Sequence, residues 1–388
     1  MPDWRAALSR LTDEVRSEVA AHVRAASDVL RTRFASGAPY AVAPYRGYGT
    51  PARFLVHGRA LQAAPLPPAQ ATDSAWRNLR SMYERLESDP LPAAEVRVRV
   101  AGVTRAAVAD GEGFFQAWVT PATRLDPNAG WHEAELELTA PRRDDGPAAR
   151  ATARVRVPGE RARFVVVSDI DDTVLQSRVS NLVQAVRTTL FGNALTRLPF
   201  PGVAAFYRAL ERGRDGAEHN PIFYLSSSPW NIHDLLAEFM DAQRLPEGPL
   251  LLRDWDPSLD AITSRRLHGF KAAHLRELID LYGTLPFILV GDTSQQDPEI
   301  YASAVRDHPG RVLAVYIRDV TRTPARTAAV TRLAEELRAA QVPLVLSEHT
   351  LDAARHAASQ GWIDADALAE VSDDKAKDEG TKPGKAPV

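Results

Sequence analysis

Phe164-Val165-Val166-Val167-Ser168-Asp169-Ile170-Asp171-Asp172-Thr173-Val174-Leu175 is the stretch on which the fold turns. Four apolar residues run straight into a cluster of acids. A short unbroken apolar run suits a strand buried on both faces of a parallel sheet. The C-terminal ends of such strands are where open α/β sheets hold their ligands. Outward from this stretch, the chain alternates strand and helix. Strands are expected at 164–168, 222–226, 249–253, 286–290, 312–317 and 343–346, and helices at 203–211, 231–243, 271–282 and 325–340. That alternation predicts an α/β fold with a parallel sheet covered on both sides.

The segment before it has a different period. Glu95-Val96-Arg97-Val98-Arg99-Val100 and Ala153-Arg154-Val155-Arg156-Val157 alternate strictly, so one face packs inward and the other meets water. Further strands are expected at 53–61, 113–119 and 135–138, separated by turns such as Asp110-Gly111-Glu112-Gly113. Residues 37–160 therefore read as an antiparallel β-sandwich-like domain. It carries one inserted helix, with Trp76, Leu79, Tyr83 and Leu86 at helical spacing after Thr72-Asp73-Ser74. Gly47-Tyr48-Gly49 reads as a turn. Residues 1–36 form an amphipathic helix, with Trp4, Leu8, Leu11, Val15 and Val19 on one stripe. That stripe packs on the protein's own domains or lies on a membrane surface; Asp13, Glu14 and Glu18 weigh against the second. The α/β domain is expected to span 161–371. From Ser372 the tail has no apolar pattern and is expected to be disordered to 388.

Composition narrows the function. The 388 residues are 45% hydrophobic and 25% charged, which is an ordinary globular balance. A net charge of −3 gives no basic field for nucleic acid. With no cysteine, disulfides and thiolate chemistry are excluded. The N-terminus has acids early and no apolar h-region, so no signal peptide is expected. No run has the length of a transmembrane helix. A cytoplasmic protein is expected, with any membrane contact peripheral.

The acids carry the chemistry. Two ionised carboxylates about 4 Å apart repel by roughly 4 kcal/mol at an effective dielectric of 20. A cluster such as Asp169, Asp171 and Asp172 is tolerated when a cation neutralises it or one group keeps its proton. A second apolar run, Phe287-Ile288-Leu289-Val290, ends in Gly291-Asp292, with Asp297 and Glu299 following. If the two runs are neighbouring parallel strands, both clusters meet at one sheet edge. All-oxygen ligands of this kind suit Mg²⁺. Phosphate-binding groups should accompany it. Ser226-Ser227-Ser228 closes a third apolar run with hydroxyls and backbone N–H groups. Lys271, placed at a helix start, offers a point charge.

Four of these elements occur in the order of the haloacid dehalogenase-like phosphatases. They are Asp169-Ile170-Asp171-Asp172-Thr173, Ser226, Lys271, and Gly291-Asp292 with Asp297. The fuller words SDIDDTVL, FYLSSSPWN and VGDTSQQDPEIY resemble the catalytic domain of actin-patch-associated (App1-type) phosphatidate phosphatases, relatives of the lipin catalytic domain. RGYGTPARFLVHGR is similar to the preceding domain of bacterial App1-like proteins. The resemblance implies a Rossmannoid parallel sheet of haloacid dehalogenase type with a minimal cap. It implies Asp169 as nucleophile and Mg²⁺ ligand, Asp171 as general acid and base with its carbonyl on the metal, and Asp292 completing the ligation. Asp297 would support that shell or hold a metal-bound water. Ser226 and Lys271 would bind the phosphoryl group, with Ser227 and Arg178 adding substrate contacts. Thr173 would brace the loop and Asp172 orient it.

The implied reaction is Mg²⁺-dependent hydrolysis of phosphatidate to diacylglycerol and phosphate. About fifty residues separate the first two motifs, too few for a large cap, which leaves an open site. Val179, Leu182, Val183, Val186, Leu190 and Phe191 form an apolar stripe that packs on the core or meets acyl chains, with Arg178 and Arg187 able to attract anionic lipid. Trp230, Trp255, Arg265 and Arg266 are candidates for the same rim. The alternatives are a phosphatase of another phosphomonoester and a non-catalytic lipid-binding or scaffold module.

Overall fold

The computed structural model describes residues 39–62, 89–126, 128–142, 147–170, 201–230, 233–253 and 264–378. The expected helices over 1–36 and 76–86, the stripe over 179–191, and residues Asp171, Asp172, Thr173, Arg178 and Trp255 lie outside the described residues. So does 379–388. Ser227, Arg265 and Arg266 are placed by their backbones only.

Six strands build the parallel sheet: β10 (Val165–Asp169), β11 (Ile222–Pro229), β12 (Leu250–Arg253), β13 (Phe287–Asp292), β14 (Val312–Arg318) and β15 (Leu344–Ser347). Their spatial order is β12-β11-β10-β13-β14-β15, and every pairing is parallel. The chain leaves β10 toward one edge, then returns to place β13 on its other side. The first and fourth strands of the unit therefore adjoin, which is the switch point where such sheets open a crevice.

Burial explains the apolar run of β10. Phe164 and Val166 belong to the core on one face, and Val165 and Val167 to the core on the other. The first face is covered by α1 (Val203–Arg212), α2 (His233–Ala242), α6 (Thr350–Ser359) and α7 (Ala367–Asp378). The second is covered by α3 (Ser264–Leu281), α4 (Asp297–Asp307) and α5 (Pro324–Ala339). Period-2 side-chain alternation thus buries every residue of the run, at about 1.5–3 kcal/mol for each large apolar side chain.

The N-terminal unit holds β1 (Tyr40–Pro44), β2 (Gly47–Gly49), β3 (Phe54–Gln62), β4 (Asp89–Pro90), β5 (Glu95–Val100), β6 (Val103–Val108), β7 (Phe114–Val119), β8 (Trp131–Ala140) and β9 (Arg150–Arg156). These strands form one hydrogen-bonded sheet rather than two, antiparallel except where β2 runs parallel to β9. Strand β3 joins it up by pairing with β1, β2, β4 and β7. Inward residues from all around the sheet share a single core, so the sheet curls over itself.

Three expectations are corrected. Gly47-Tyr48-Gly49 is a strand, not a turn. A Cβ on Gly47 would stand 2.2 Å from the Leu55 carbonyl oxygen, so glycine is what lets β2 close on β3. Lys271 is well inside α3 and not at its start. The chain beyond Ser372 continues as helix to Asp378, because tertiary contacts hold it. The α1 N-terminus has no side-chain cap of its own, and Asp374 supplies one by accepting from the Ala205 N–H at 3.2 Å. The same carboxylate accepts from Arg208 at 3.3 Å.

The two units interlock. Tyr48 meets the Phe223 ring edge-on at 5.3 Å, Arg46 donates to Asp241 at 3.1 Å, and the buried Arg156 donates to the His219 carbonyl at 2.6 Å.

Candidate active site

The adjoining ends of β10 and β13 bring the predicted acids together. Ser168 is in register with Val290, so Asp169 and the Gly291-Asp292 pair leave the sheet side by side. Both carboxylates are shut away from water: the Asp169 side chain is 2% exposed and Asp292 is 4% exposed. Asp297, at the start of α4, is fully buried.

Lys271 ties these groups together. Its ammonium lies 2.8 Å from Asp169 Oδ1 and 3.1 Å from Asp297 Oδ1. It also donates to Gln295 Oε1 at 3.1 Å. A residue from the middle of α3 thus reaches the acids of two different strand ends. The other oxygen of Asp297, Oδ2, accepts from the Asp292 N–H at 3.2 Å. Gly291 makes this possible, because a Cβ there would stand 2.5 Å from Asp297 Oδ2. Asp292 Oδ1 accepts from the Ser294 N–H at 2.7 Å and from its hydroxyl at 2.5 Å.

Charge does not balance at this edge. Among the described residues, three buried carboxylates meet the buried ammonium of Lys271, with Arg318 on the wall of the same cavity. Burial pushes the Asp292 carboxyl above its ordinary range, and the charge of Asp297 pushes it further. An excess of buried negative oxygen donors is the condition that a hard divalent cation relieves. Asp169 and Asp292 supply hard carboxylate oxygens at adjoining strand ends, the donor type such an ion takes; the Asp297 oxygens accept from Lys271 and from the Asp292 N–H. Among the described residues no cluster of three candidate ligands forms.

The remaining predicted groups take different places. Ser226 ends the apolar part of β11 beside β10, is 1% exposed, and its Oγ accepts from the Ser228 N–H at 3.0 Å. Ser168, one residue before Asp169, shares a 2.6 Å hydrogen bond with the Tyr207 hydroxyl, whose ionisation burial suppresses. A cavity of about 60 Å³ opens against Asp169 and Asp292. Val203, Phe206 and Ala353 give it apolar walls, and Arg318 is its cation.

Comparison with known sequences bears on this edge. Residues 164–319 match the sequence profile of the family described as Phosphatidate phosphatase APP1, catalytic domain. An uncharacterized protein of Schizosaccharomyces pombe is 28% identical over 162 residues, covering 42% of this chain and 26% of that protein. Phosphatidate phosphatase APP1 of Saccharomyces cerevisiae is 28% identical over 153 residues, covering 39% of this chain and 25% of that protein. The matched segment spans about a quarter of the length of these curated relatives. Among solved structures, a Bacteroides uniformis beta-glucuronidase aligns over 89% of this chain and 44% of its own, at 7% identity and a TM-score of 0.27, which bears on neither fold nor function.

The matched segment runs from the residue before β10 to the residue after β14. It contains Asp169, Ser226, Lys271, Asp292, Gln295 and Asp297. Strand β15, helices α5 to α7 and the whole β-rich unit lie outside it. Two of the groups that complete the edge were not singled out from sequence. Gln295 sits among polar residues of the Asp292–Asp297 loop, and nothing in its pattern marks it. Arg318 closes an apolar strand, where a cation at a ligand-binding edge was a usable signal.

Proposed function

We propose that this chain is a Mg²⁺-dependent phosphatase that hydrolyses phosphatidate to diacylglycerol and phosphate, on a sheet of haloacid dehalogenase type. The observation that carries the proposal is the convergence of Asp169, Asp292 and Lys271 at the switch point, with Lys271 2.8 Å from Asp169, inside the APP1-type segment. A bound Mg²⁺ would be held by Asp169 and Asp292 and would supply charge neutralisation at the phosphoryl group.

An Asp169 oxygen attacks phosphorus, and the bond from phosphorus to the diacylglycerol oxygen breaks. Asp171 gives its proton to that leaving oxygen. Asp171 then takes a proton from water, whose oxygen attacks the aspartyl-phosphate. The bond between Asp169 and phosphorus breaks, inorganic phosphate leaves, and the carboxylate is restored. Lys271 and Ser226 hold the phosphoryl oxygens, while Asp297 keeps Lys271 and the Asp292 backbone in place. The lipid substrate is supported by the APP1-type match alone, and another phosphomonoester is the alternative. Among the described residues no helix is long and apolar enough to cross a membrane, so the proposed lipid contact is peripheral.

Phosphate release from phosphatidate in mixed micelles, measured with Mg²⁺ beside soluble phosphomonoesters, tests the proposal. Phosphatidate should be the preferred substrate, EDTA should stop turnover, and Asp169→Asn should lower it by about 10³-fold or more at unchanged folding. Full activity of Asp169→Asn would remove the nucleophile.

A further inference from the structure

Arg326 lies on α5, beyond the segment that matches the APP1-type domain. Its guanidinium is nonetheless the centre of the hydrogen bonding around the loop between β13 and α4. Nε donates to the Thr293 carbonyl at 3.0 Å, and Nη2 donates to the Gln295 carbonyl at 2.5 Å. Nη1 donates to Glu299 Oε1, and Nη2 to Glu299 Oε2 at 3.0 Å. The side chain is 18% exposed, and its charge is reinforced chiefly by Glu299. One rigid fork therefore fixes two backbone carbonyls of the loop and the first turn of the helix that follows it.

The loop so held connects directly to the reacting edge. Thr293 follows Asp292. Gln295, whose carbonyl Arg326 holds, gives its side-chain oxygen to Lys271. Lys271 in turn contacts Asp169. Arg326 is thus three contacts from the proposed nucleophile and touches no group that reacts. A second set of bonds anchors the same loop from the segment after β14. The Thr293 hydroxyl donates to Asp319 at 3.2 Å and accepts from the Val320 and Thr321 N–H groups at 3.0 Å.

We propose that Arg326 is a positioning residue, which sets the Asp292–Asp297 loop so that Asp292 faces the cation site and Lys271 faces Asp169. Groups that orient metal ligands typically contribute 10- to 100-fold to metal affinity or activity. The proposal rests on the phosphatase reading for its kinetic arm only. Its binding arm needs no substrate.

The test uses the full chain with Arg326→Met and Arg326→Lys. The first removes the fork. The second keeps a positive charge for Glu299 but cannot hold two carbonyls and a carboxylate at once. Mg²⁺ is titrated against the thermal unfolding midpoint, and kcat and KM are measured on an aryl phosphate. Arg326→Met should weaken the apparent Mg²⁺ affinity about 10-fold or more and lower kcat about 10- to 100-fold, with KM changed less than about threefold. Arg326→Lys should recover a minor part of both. A folded Arg326→Met, or Arg326→Lys if the first does not fold, with wild-type Mg²⁺ affinity and kcat would overturn the proposal. If the wild-type chain releases phosphate from no substrate, the phosphatase reading fails, and the Mg²⁺ titration still decides the role of Arg326.

Discussion

The two loops that flank β10 are held by opposite kinds of force. The loop after β11, the strand that carries Ser226, is braced by rings. Tyr45, from the β-rich unit, stacks on Trp230 with centroids 4.9 Å apart and packs on His233 at 4.1 Å. His57 meets Trp230 edge-on at 5.5 Å. The loop after β13, the strand that ends in Asp292, is braced by the charged and polar groups of Arg326, Thr293, Asp319 and Lys271. Ring packing contributes stability and tolerates small shifts. Charge-assisted hydrogen bonds contribute stability and also fix direction. A loop that offers a hydroxyl needs the first. A loop that must aim a carboxylate at a cation needs the second.

The largest expected effect is at the junction of the polar loop. Lys271→Met leaves Asp169 and Asp297 buried without their shared ammonium. Breaking a buried pair in this way costs about 3–5 kcal/mol. Urea unfolding should show that loss, and phosphate release should fall with it. An unchanged midpoint would mean that the β13 loop does not depend on charge.

Tyr45→Ala strikes the ring-braced loop. Tyr45 is 5% exposed, and truncating a buried aromatic costs about 3 kcal/mol or more. Stability should fall while the apparent Mg²⁺ affinity stays as in the wild type. A weakened Mg²⁺ response would show that the two loops are coupled.

Acid should loosen the ring-braced loop more gently. Burial lowers the His57 pKa from 6.5 to about 4, with its Nε2 against the Arg46 carbonyl oxygen at 3.2 Å. The unfolded chain takes up a proton below pH 6.5 and the folded chain does not, so stability falls as pH drops through 6.5 toward 4. Between pH 6.5 and 5 the expected loss is about 1.5 kcal/mol. Unfolding midpoints of wild type and His57→Gln across that range check it, since the variant should lack this part of the slope.

Much of this was legible in the chain. The run ending at Asp169 has no alternation because cores lie on both faces, and that absence is itself the signal. Strands β11 to β15 were legible for the same reason. The apolar pattern puts Lys271 at a helix start, because α3 begins earlier than that pattern. The helix through Asp378 was missed because Ser372-Asp373-Asp374-Lys375 has no apolar stripe; Asp374 earns its order by capping α1. Gly47-Tyr48-Gly49 read as a turn because glycine usually marks one. Arg326 gave no local sign.

Residue order alone decided the strands of the parallel sheet and which of their ends carry acids or hydroxyls. Those properties follow from side-chain period, backbone preference and short-range charge, all of which act between near neighbours along the chain. Only the tertiary structure decided that β13 lies beside β10, that Lys271 reaches Asp169 and Asp297 together, and that Tyr45 and Arg326 brace the two loops. Each of those contacts joins residues far apart in sequence. They exist only once the crossovers have fixed the strand order and packing has fixed the distances.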